Sequence, residues 1–276
     1  MEAMTTYPGS IGELVQGDYK GRDVLVSCPI NLYTKVKIFE SNNPFSKKKY
    51  EKASAFAAEI LKGWDSYNII DTLDIEISSQ IPRGKGFASS TADLCATYYS
   101  LLKLFNRKFN EEELIKSCIK IEPTDSIIFN NLTVFDYKNG LYKEQIGKYI
   151  EFYILVFEGE SVVSTVEFNN RMLPAHKSVE DLIGYLISGV KHNSISQIAE
   201  VCSESIIRNQ NRLKYDILPE VLKLKQKHGG LGVLGAHSGD MVGIIFDDEE
   251  KLNSALEKIE CFKNYKSYKL KSLHIL

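Results

Sequence analysis

The amino-acid sequence predicts an α+β fold, and three observations lead to it. Stretches in which polar and apolar residues alternate, such as 72–78 (TLDIEIS), predict strands with one solvent-exposed face. Stretches with apolar residues three and four positions apart, such as 44–64, predict helices. The two kinds of pattern follow one another without strict alternation, which favours α+β over a doubly wound parallel sheet.

Three of the predicted elements also carry a local signal. Asn139-Gly140 is a strong hairpin signal, Asn110 precedes acidic residues as an N-cap does, and Gly63 can end the first helix. In chain order, the patterns predict a hairpin at 12–29, a strand at 32–40, a helix within 44–64, a strand at 72–78, a helix at 90–105, a helix after residue 110, a hairpin at 132–147, a buried strand at 150–157, helices between 176 and 228, two strands within 229–247, a helix at 248–259 and a last strand at 267–275.

The composition is that of an ordinary globular protein and excludes several classes of function. The chain has 276 residues, 43% hydrophobic and 25% charged, with a net charge of −2, which argues against non-specific nucleic-acid binding. The densest apolar run, 152–157, is far shorter than the ~20 residues of a membrane span, and the first residues lack the apolar core of a signal peptide. Five scattered cysteines without a CxxC pair indicate free thiols in a reducing compartment. We therefore expect a cytoplasmic protein that binds neither nucleic acid nor membranes.

The segment 81–94 (IPRGKGFASSTADL) raises the first functional hypothesis. Gly84 and Gly86 let the backbone approach a ligand, and the helix that follows offers unpaired N–H groups and the positive end of its dipole. Lys85 would add a charge, and Ser89, Ser90 and Thr91 would add hydroxyl groups. These features suit a phosphate site, but a glycine turn followed by a Ser/Thr-capped helix explains most of the same residues. Neither the Walker pattern nor GxGxxG is present.

Two further segments carry polar side chains that suit chemistry. In 122–129 (EPTDSIIF), Glu122 and Asp125 would share one face of a first helical turn and could serve as a magnesium ligand and a general base, although helix capping around Pro123 explains them equally well. In 235–243 (GAHSGDMVG), a tight glycine turn separates two apolar strands.

The histidine of that turn, His237, is either a structural hydrogen-bonding residue or a catalyst. Zinc-ligand spacings and the hydrolase GxSxG pattern are absent from the sequence.

Together these segments resemble the superfamily of galactokinase, homoserine kinase, mevalonate kinase and phosphomevalonate kinase, the GHMP kinases. Its N-terminal motif resembles 7–17 (YPGSIGELVQG), and its C-terminal glycine motif corresponds to 235–243. Its phosphate loop, PxxxGLGSSAA, is matched at Pro82, Gly86, Ser89, Ser90 and Ala92, with Phe87 for Leu, Ala88 for Gly and Thr91 for Ala. The phrases GELVQG, GKGFASSTAD, EPTDSIIF, FDYKNG, STVEFNNR and AHSGD are similar to the branch of L-threonine kinases of cobalamin side-chain synthesis.

The resemblance implies a two-domain fold: a mixed N-terminal domain and a ferredoxin-like C-terminal domain, with the site between them. The smoothest division of the chain gives 1–150 and 151–276. It also implies ATP and Mg²⁺, with cofactor contacts from the whole loop. The residues that it assigns to the nucleotide are Pro82, Gly84, Lys85, Gly86, Phe87, Ala88, Ser89 and Ser90.

The same resemblance assigns the remaining roles. Glu122 and Asp125 would be catalytic: Glu122 would bind the metal with Ser90, and Asp125 would orient or deprotonate the acceptor hydroxyl. Ser238 and Gly239 would close the site around the acceptor. Mevalonate-kinase relatives carry a Lys where this chain has Ser10, so a mechanism that needs that Lys does not transfer.

The leading hypothesis is therefore ATP-dependent phosphorylation of a small hydroxy amino acid, L-threonine first, by a monomer or homodimer. Such a substrate needs a cation for its carboxylate and an acidic group for its ammonium, and Arg171 and Glu13 are the candidates by their chemistry. The alternatives are a kinase for another small alcohol, such as homoserine or a sugar, and a nucleotide-binding regulator that does not transfer phosphate.

Overall fold

The computed structural model describes residues 1–44, 49–162, 172–259 and 262–274. Nine strands lie within these residues: β1 (Glu2–Tyr19), β2 (Arg22–Glu40), β3 (Leu73–Ser79), β4 (Leu132–Asp136), β5 (Lys143–Gly147), β6 (Tyr153–Glu158), β7 (Gly232–Gly235), β8 (Met241–Phe246) and β9 (Lys266–Lys271). Seven α-helices lie within them: α1 (Glu51–Gly63), α2 (Ser89–Leu104), α3 (Glu111–Ile121), α4 (Glu180–Lys191), α5 (Ile195–Arg208), α6 (Leu218–Lys227) and α7 (Glu249–Leu256).

One sheet connects these strands, in the order β5-β4-β2-β1-β7-β8-β6-β9, with β3 paired to β2. Each of its strand pairs is antiparallel. The predicted hairpin at 12–29 and the predicted strand at 32–40 are parts of one long pair, β1 and β2, which is interrupted by register shifts between Pro8 and Val15. These shifts bend β1 where it meets β7, at the pair Glu13 and Gly235.

The C-terminal strands have the ferredoxin-like arrangement. In chain order the elements are β6, three helices, β7, β8, α7 and β9, and in the sheet the strands run β7-β8-β6-β9. The α+β class and the ferredoxin-like unit are thus confirmed. A single sheet runs through both halves of the chain, and no break in its described strands marks a boundary near residue 150. The division into 1–150 and 151–276 therefore remains a prediction.

Helix α2 is the most deeply buried helix of the N-terminal half and packs on β1 and β2. A second apolar cluster lies between β6, β8, α6 and α7 around Phe157 and Phe246. Cys28, Cys95, Cys118 and Cys202 are buried free thiols, as expected, whereas Cys261 lies outside the described residues. In the described part of the chain, no helix combines the length and the apolar character that crossing a membrane requires.

Candidate active site

Backbone hydrogen bonds bring the three glycine-rich segments of the sequence together. The N–H of Ser10 donates to the carbonyl of Phe87 (3.0 Å), and that of Gly12 to the carbonyl of Gly86 (3.1 Å). From the other side, the N–H of Asp240 donates to the carbonyl of Lys85 (3.2 Å). Residues 82–88, hereafter the glycine loop, are thus clamped between β1 and the β7–β8 turn.

Two glycines are required by this clamp. Gly86 has a φ of +92°, and a Cβ placed there would lie 2.0 Å from the Cβ of Ala236. A Cβ on Gly239 would lie 2.4 Å from the carbonyl oxygen of Lys85. Both positions therefore exclude a side chain because the β7–β8 turn packs directly against the glycine loop.

The start of α2 distinguishes the two hypotheses for the loop. The N-cap residue is Ala88, in the left-handed conformation with a φ of 52°, and no described side chain caps it. The simple alternative of a Ser/Thr-capped helix is therefore wrong. The first N–H groups of the 16-residue helix begin at the edge of a cavity and are available to an anion.

This cavity has a volume of about 460 Å³ and collects most of the predicted site residues. Predicted residues that line it are Glu13, Gly84, Gly86, Phe87, Ala88, Ser89, Ser90, Glu122, Asp125 and Ser238. Pro82, Lys85 and Gly239 lie in the surrounding segments without lining it. Arg171, with the whole phrase STVEFNNR, lies outside the described residues.

Lys85 differs from the expectation that its charge faces a phosphate. Its side chain is buried, and its ammonium donates to the carbonyls of Gly159 (2.7 Å) and Ser161 (2.8 Å). The lysine thus ties the glycine loop to the residues that follow β6, and it does not line the cavity.

Glu122 is buried at 5% exposure between a hydroxyl and a cation. The hydroxyl of Ser90 donates to Oε1, and the ammonium of Lys52 donates to Oε2. The expectation that Glu122 and Asp125 share a helical turn is wrong: Glu122 ends α3 with extended backbone, and Asp125 is extended before a short 3₁₀ turn, 126–128. Tertiary packing against α2, and not helical spacing, brings the two carboxylates to one cavity.

Asp125 is held by hydroxyl groups from two elements. Thr91 of α2 donates to Oδ2 (3.2 Å), and Ser27 of β2 donates to Oδ1 (3.3 Å). Burial, and next the negative charge of Glu13, raise the pKa of Asp125 to about 7, against the opposing effect of these hydrogen bonds. Such a carboxylate can accept a proton near neutral pH.

Glu13 is fixed by His237. Its Oε2 accepts from the backbone N–H of His237 (2.8 Å) and lies 3.1 Å from Nδ1 of the ring, while Nε2 lies 3.0 Å from the hydroxyl of Ser205. His237 is only 2% exposed. Of the two interpretations of this histidine, the structural hydrogen-bonding one fits the geometry.

Sequence reasoning missed several residues of the site. Lys52 has no signal except its place in the first turn of α1. Thr91 was expected as a hydroxyl donor to phosphate or to its metal, and not as a partner of Asp125. A third case is Asp93, which binds Thr34 (2.6 Å) and Arg83 (3.0 Å) and so joins the loop to β2. Its signal in the sequence was that it is the acidic residue of the segment 90–93 (STAD), about one helical turn after the glycine loop.

The donor set suits a magnesium ion that is held partly by its ligand. Among the described residues, no group of three or more His, Cys, Asp or Glu side chains could hold a metal by itself. One carboxylate and one hydroxyl, Glu122 and Ser90, lie together beside the open helix N-terminus. Mg²⁺ is commonly bound by one or two carboxylates with phosphate oxygens and water completing its shell.

Comparisons with known proteins agree with this geometry. The family model of the GHMP kinases N terminal domain matches residues 51–130, and that of the GHMP kinases C terminal matches 186–266. The chain is 31% identical to an L-threonine kinase of Citrobacter freundii over 89% of this chain and 86% of that one. It is 26% identical to an L-threonine kinase of Salmonella typhimurium over 89% and 83%.

Among solved structures, homoserine kinase from Cytophaga hutchinsonii superposes with a TM-score of 0.74 at 17% identity, over 99% of this chain and 95% of that one. The fold, the convergence of the three glycine-rich segments and the identity to curated relatives lead to one conclusion. The chain belongs to the GHMP kinase family.

Proposed function

We propose that the protein transfers the γ-phosphoryl group of ATP to the hydroxyl of a small amino acid, with L-threonine as the preferred acceptor, giving O-phospho-L-threonine for cobalamin side-chain synthesis. The observation that carries the proposal is one cavity that combines an open helix N-terminus with two carboxylates, the buried Glu13 and the half-buried Asp125. The similarity to two L-threonine kinases over 89% of the chain supports threonine in particular.

The nucleotide would lie along the glycine loop. Backbone N–H groups of Gly84 to Ser90 and the dipole of α2 favour the phosphates. Lys52 and Arg83 at the wall of the cavity add positive charge. The anchor formed by Lys85 keeps the loop in place, so that the protein positions phosphate groups with little reorganisation.

Glu122 and Ser90 would hold Mg²⁺. The ion, when bound, neutralises charge that develops on the phosphates during transfer. The contact between Ser90 and Glu122 keeps both oxygens at the same end of the cavity as the start of α2.

Asp125 would act on the acceptor. As the hydroxyl oxygen forms its bond to the γ-phosphorus, the bond between that phosphorus and the β–γ bridging oxygen breaks, ADP leaves, and the hydroxyl proton passes to Asp125. The two hydroxyl groups that hold Asp125 fix the direction of its carboxylate, and its raised pKa makes it a suitable base.

The charge of the cavity favours an amino acid over a neutral alcohol. Glu13 and Asp125 are like charges on one wall, and Glu13 raises the pKa of Asp125. The ammonium group of an amino acid bound beside them would offset this repulsion and keep Asp125 ionised. A sugar would leave the two carboxylates uncompensated.

We expect L-threonine to be phosphorylated more efficiently than L-serine, which lacks the methyl group. One methyl in an apolar pocket gives about 10–200-fold in kcat/KM. Steady-state kinetics with purified protein, ATP and Mg²⁺ give kcat/KM for each acceptor. The acceptors compared are threonine, serine, homoserine, mevalonate and a hexose.

A higher kcat/KM for one of the other alcohols than for threonine would contradict the threonine assignment and leave the kinase assignment standing. Tight ATP binding without turnover on any acceptor would instead identify a nucleotide-binding regulator.

Replacing Glu122 with Gln should raise the Mg²⁺ concentration needed for half-maximal activity by at least about tenfold, because the amide keeps the shape but loses the charge that binds the ion. Magnesium titrations of kcat at saturating ATP measure the shift. Glu51→Gln, the same change at an exposed acid on the rim, is the matched control. Equal metal dependence in the two variants would mean that Glu122 serves only to hold Ser90 and Lys52.

A further inference from the structure

A chain of three buried polar side chains runs from α5 to the cavity wall. Ser205 of α5, His237 of the β7–β8 turn and Glu13 of β1 are exposed by 0%, 2% and 5%. The contacts are 3.0 Å from the Ser205 hydroxyl to Nε2 of His237 and 3.1 Å from Nδ1 to Oε2 of Glu13. These hydrogen-bonded side chains thus link a helix of the C-terminal half to a carboxylate of the N-terminal segment.

The hydrogen bonds determine the tautomer of His237. The Ser205 oxygen accepts the backbone N–H of Gln16 (3.1 Å), which leaves its own hydrogen for Nε2. The Glu13 carboxylate only accepts, so Nδ1 carries the ring proton. His237 therefore directs two N–H groups, its ring Nδ1–H and its backbone N–H, at the same oxygen of Glu13.

This arrangement leaves the other oxygen for a ligand. Both donors of His237 use Oε2, and Oε1 of Glu13 has no hydrogen-bond partner among the residues that the structure describes. Glu13 lines the same cavity as Asp125 and Ser238. A glutamate with a free terminal torsion would sample many directions, and the double contact limits it to one.

We propose that His237, held in one tautomer by Ser205, is a positioning residue that orients Glu13 toward the ammonium group of the acceptor. The inference rests on the proposed function, because it requires an amino-acid substrate. It assigns the choice between an amino acid and an analogue without the ammonium group to a buried series of hydrogen bonds that begins at Ser205, away from the cavity.

The test compares two acceptors that differ only at the ammonium group: L-threonine and its deaminated analogue, (R)-3-hydroxybutyrate. Wild-type protein should prefer threonine in kcat/KM by at least about 30-fold, the size expected when a charged partner is missing from a desolvated pair. His237→Leu should reduce this preference at least about tenfold, through a higher KM for threonine, with the KM for ATP unchanged. His237→Asn should keep most of it, because the amide N–H can replace Nδ1–H.

A matched pair of serines on α5 controls for the loss of a hydroxyl. Ser203 also accepts a backbone N–H, that of Val233 (2.9 Å), and its own hydroxyl donates to the carbonyl of Ala199 rather than to His237. Ser205→Ala should lower the threonine preference, and Ser203→Ala should leave it at the wild-type value. Thermal unfolding and ATP titration verify that each variant is folded.

The outcomes separate the inference from the function on which it rests. Wild-type protein that phosphorylates no amino acid would overturn both. Wild-type protein that prefers threonine, together with an unchanged preference in folded His237→Leu, would overturn the inference alone. If His237→Leu does not fold, the serine pair decides, and equal preferences in Ser205→Ala and Ser203→Ala would overturn it.

Discussion

Replacing Asp125 with Asn should lower kcat by about 10²–10⁴-fold, the usual contribution of a general base. The amide keeps the size of the side chain. Its oxygen can accept from one of the hydroxyl groups of Thr91 and Ser27, and its NH2 group can donate to the oxygen of the other, so the fold and the cavity are retained. ATP affinity should therefore be unchanged. Rapid-quench measurement of phosphoryl transfer together with calorimetric ATP titration separates the two quantities.

The pH dependence distinguishes a base from a group that only orients the hydroxyl. The pKa of Asp125 is raised to about 7, and only its ionised form accepts a proton, so kcat/KM for the wild-type protein should fall as the pH drops through that value. The Asn variant should lack this acid limb.

Asp93→Asn is the control for the loss of one negative charge from the cavity, and it should cost much less than Asp125→Asn. Equal losses in the two variants, or an unchanged acid limb in Asp125→Asn, would exclude Asp125 as the base.

Replacing Gly86 with Ala should strongly impair both stability and nucleotide binding. A left-handed backbone costs a non-glycine residue about 1–2 kcal/mol, and the overpacking against Ala236 adds about 1–3 kcal/mol. The glycine loop can relieve the contact only by moving away from the β7–β8 turn, which shifts the N–H groups that would bind phosphate. Chemical denaturation and ATP titration measure the two effects.

Gly21→Ala provides the matched control. Gly21 also has a positive φ, +73°, but a Cβ there meets no atom within 4 Å. Gly21→Ala should lose only the stability that a left-handed backbone costs a non-glycine residue, and it should bind ATP with normal affinity. The double variant Gly86→Ala with Ala236→Gly removes the contact and should recover part of the affinity. No recovery, or equal defects at Gly86 and Gly21, would show that the contact between loop and turn is not what Gly86 provides.

The local elements of the fold could be predicted because their signals are local. Period-two alternation identified β3, Asn110 marked the start of α3 and caps it with its side chain, and Asn139-Gly140 marked the turn between β4 and β5. The extent of β1 and β2 was missed, since a long bent pair with register shifts interrupts the alternation that reveals a strand.

The parts of the candidate site that are formed by backbone groups and spaced glycines could be predicted from the sequence. The parts that depend on where a side chain points could be predicted less well. Lys85 is basic and lies between two glycines, which favoured a phosphate contact, but two carbonyl groups beyond β6 bind its ammonium instead. Lys52 was missed because it approaches Glu122 from a helix 70 residues earlier, and no short-range pattern records that distance.

The elements, the glycine-rich segments and the residue types of the site could be predicted from the sequence, because propensity, periodicity and turn chemistry act over a few neighbouring residues. Which polar groups meet depends on the tertiary structure. Glu122 and Asp125 share a cavity through packing on α2 despite extended backbone at both residues. Glu13 and His237 meet across 224 positions because β1 pairs with β7. Such contacts depend on the register of strands and the docking of helices, which the whole buried core determines together.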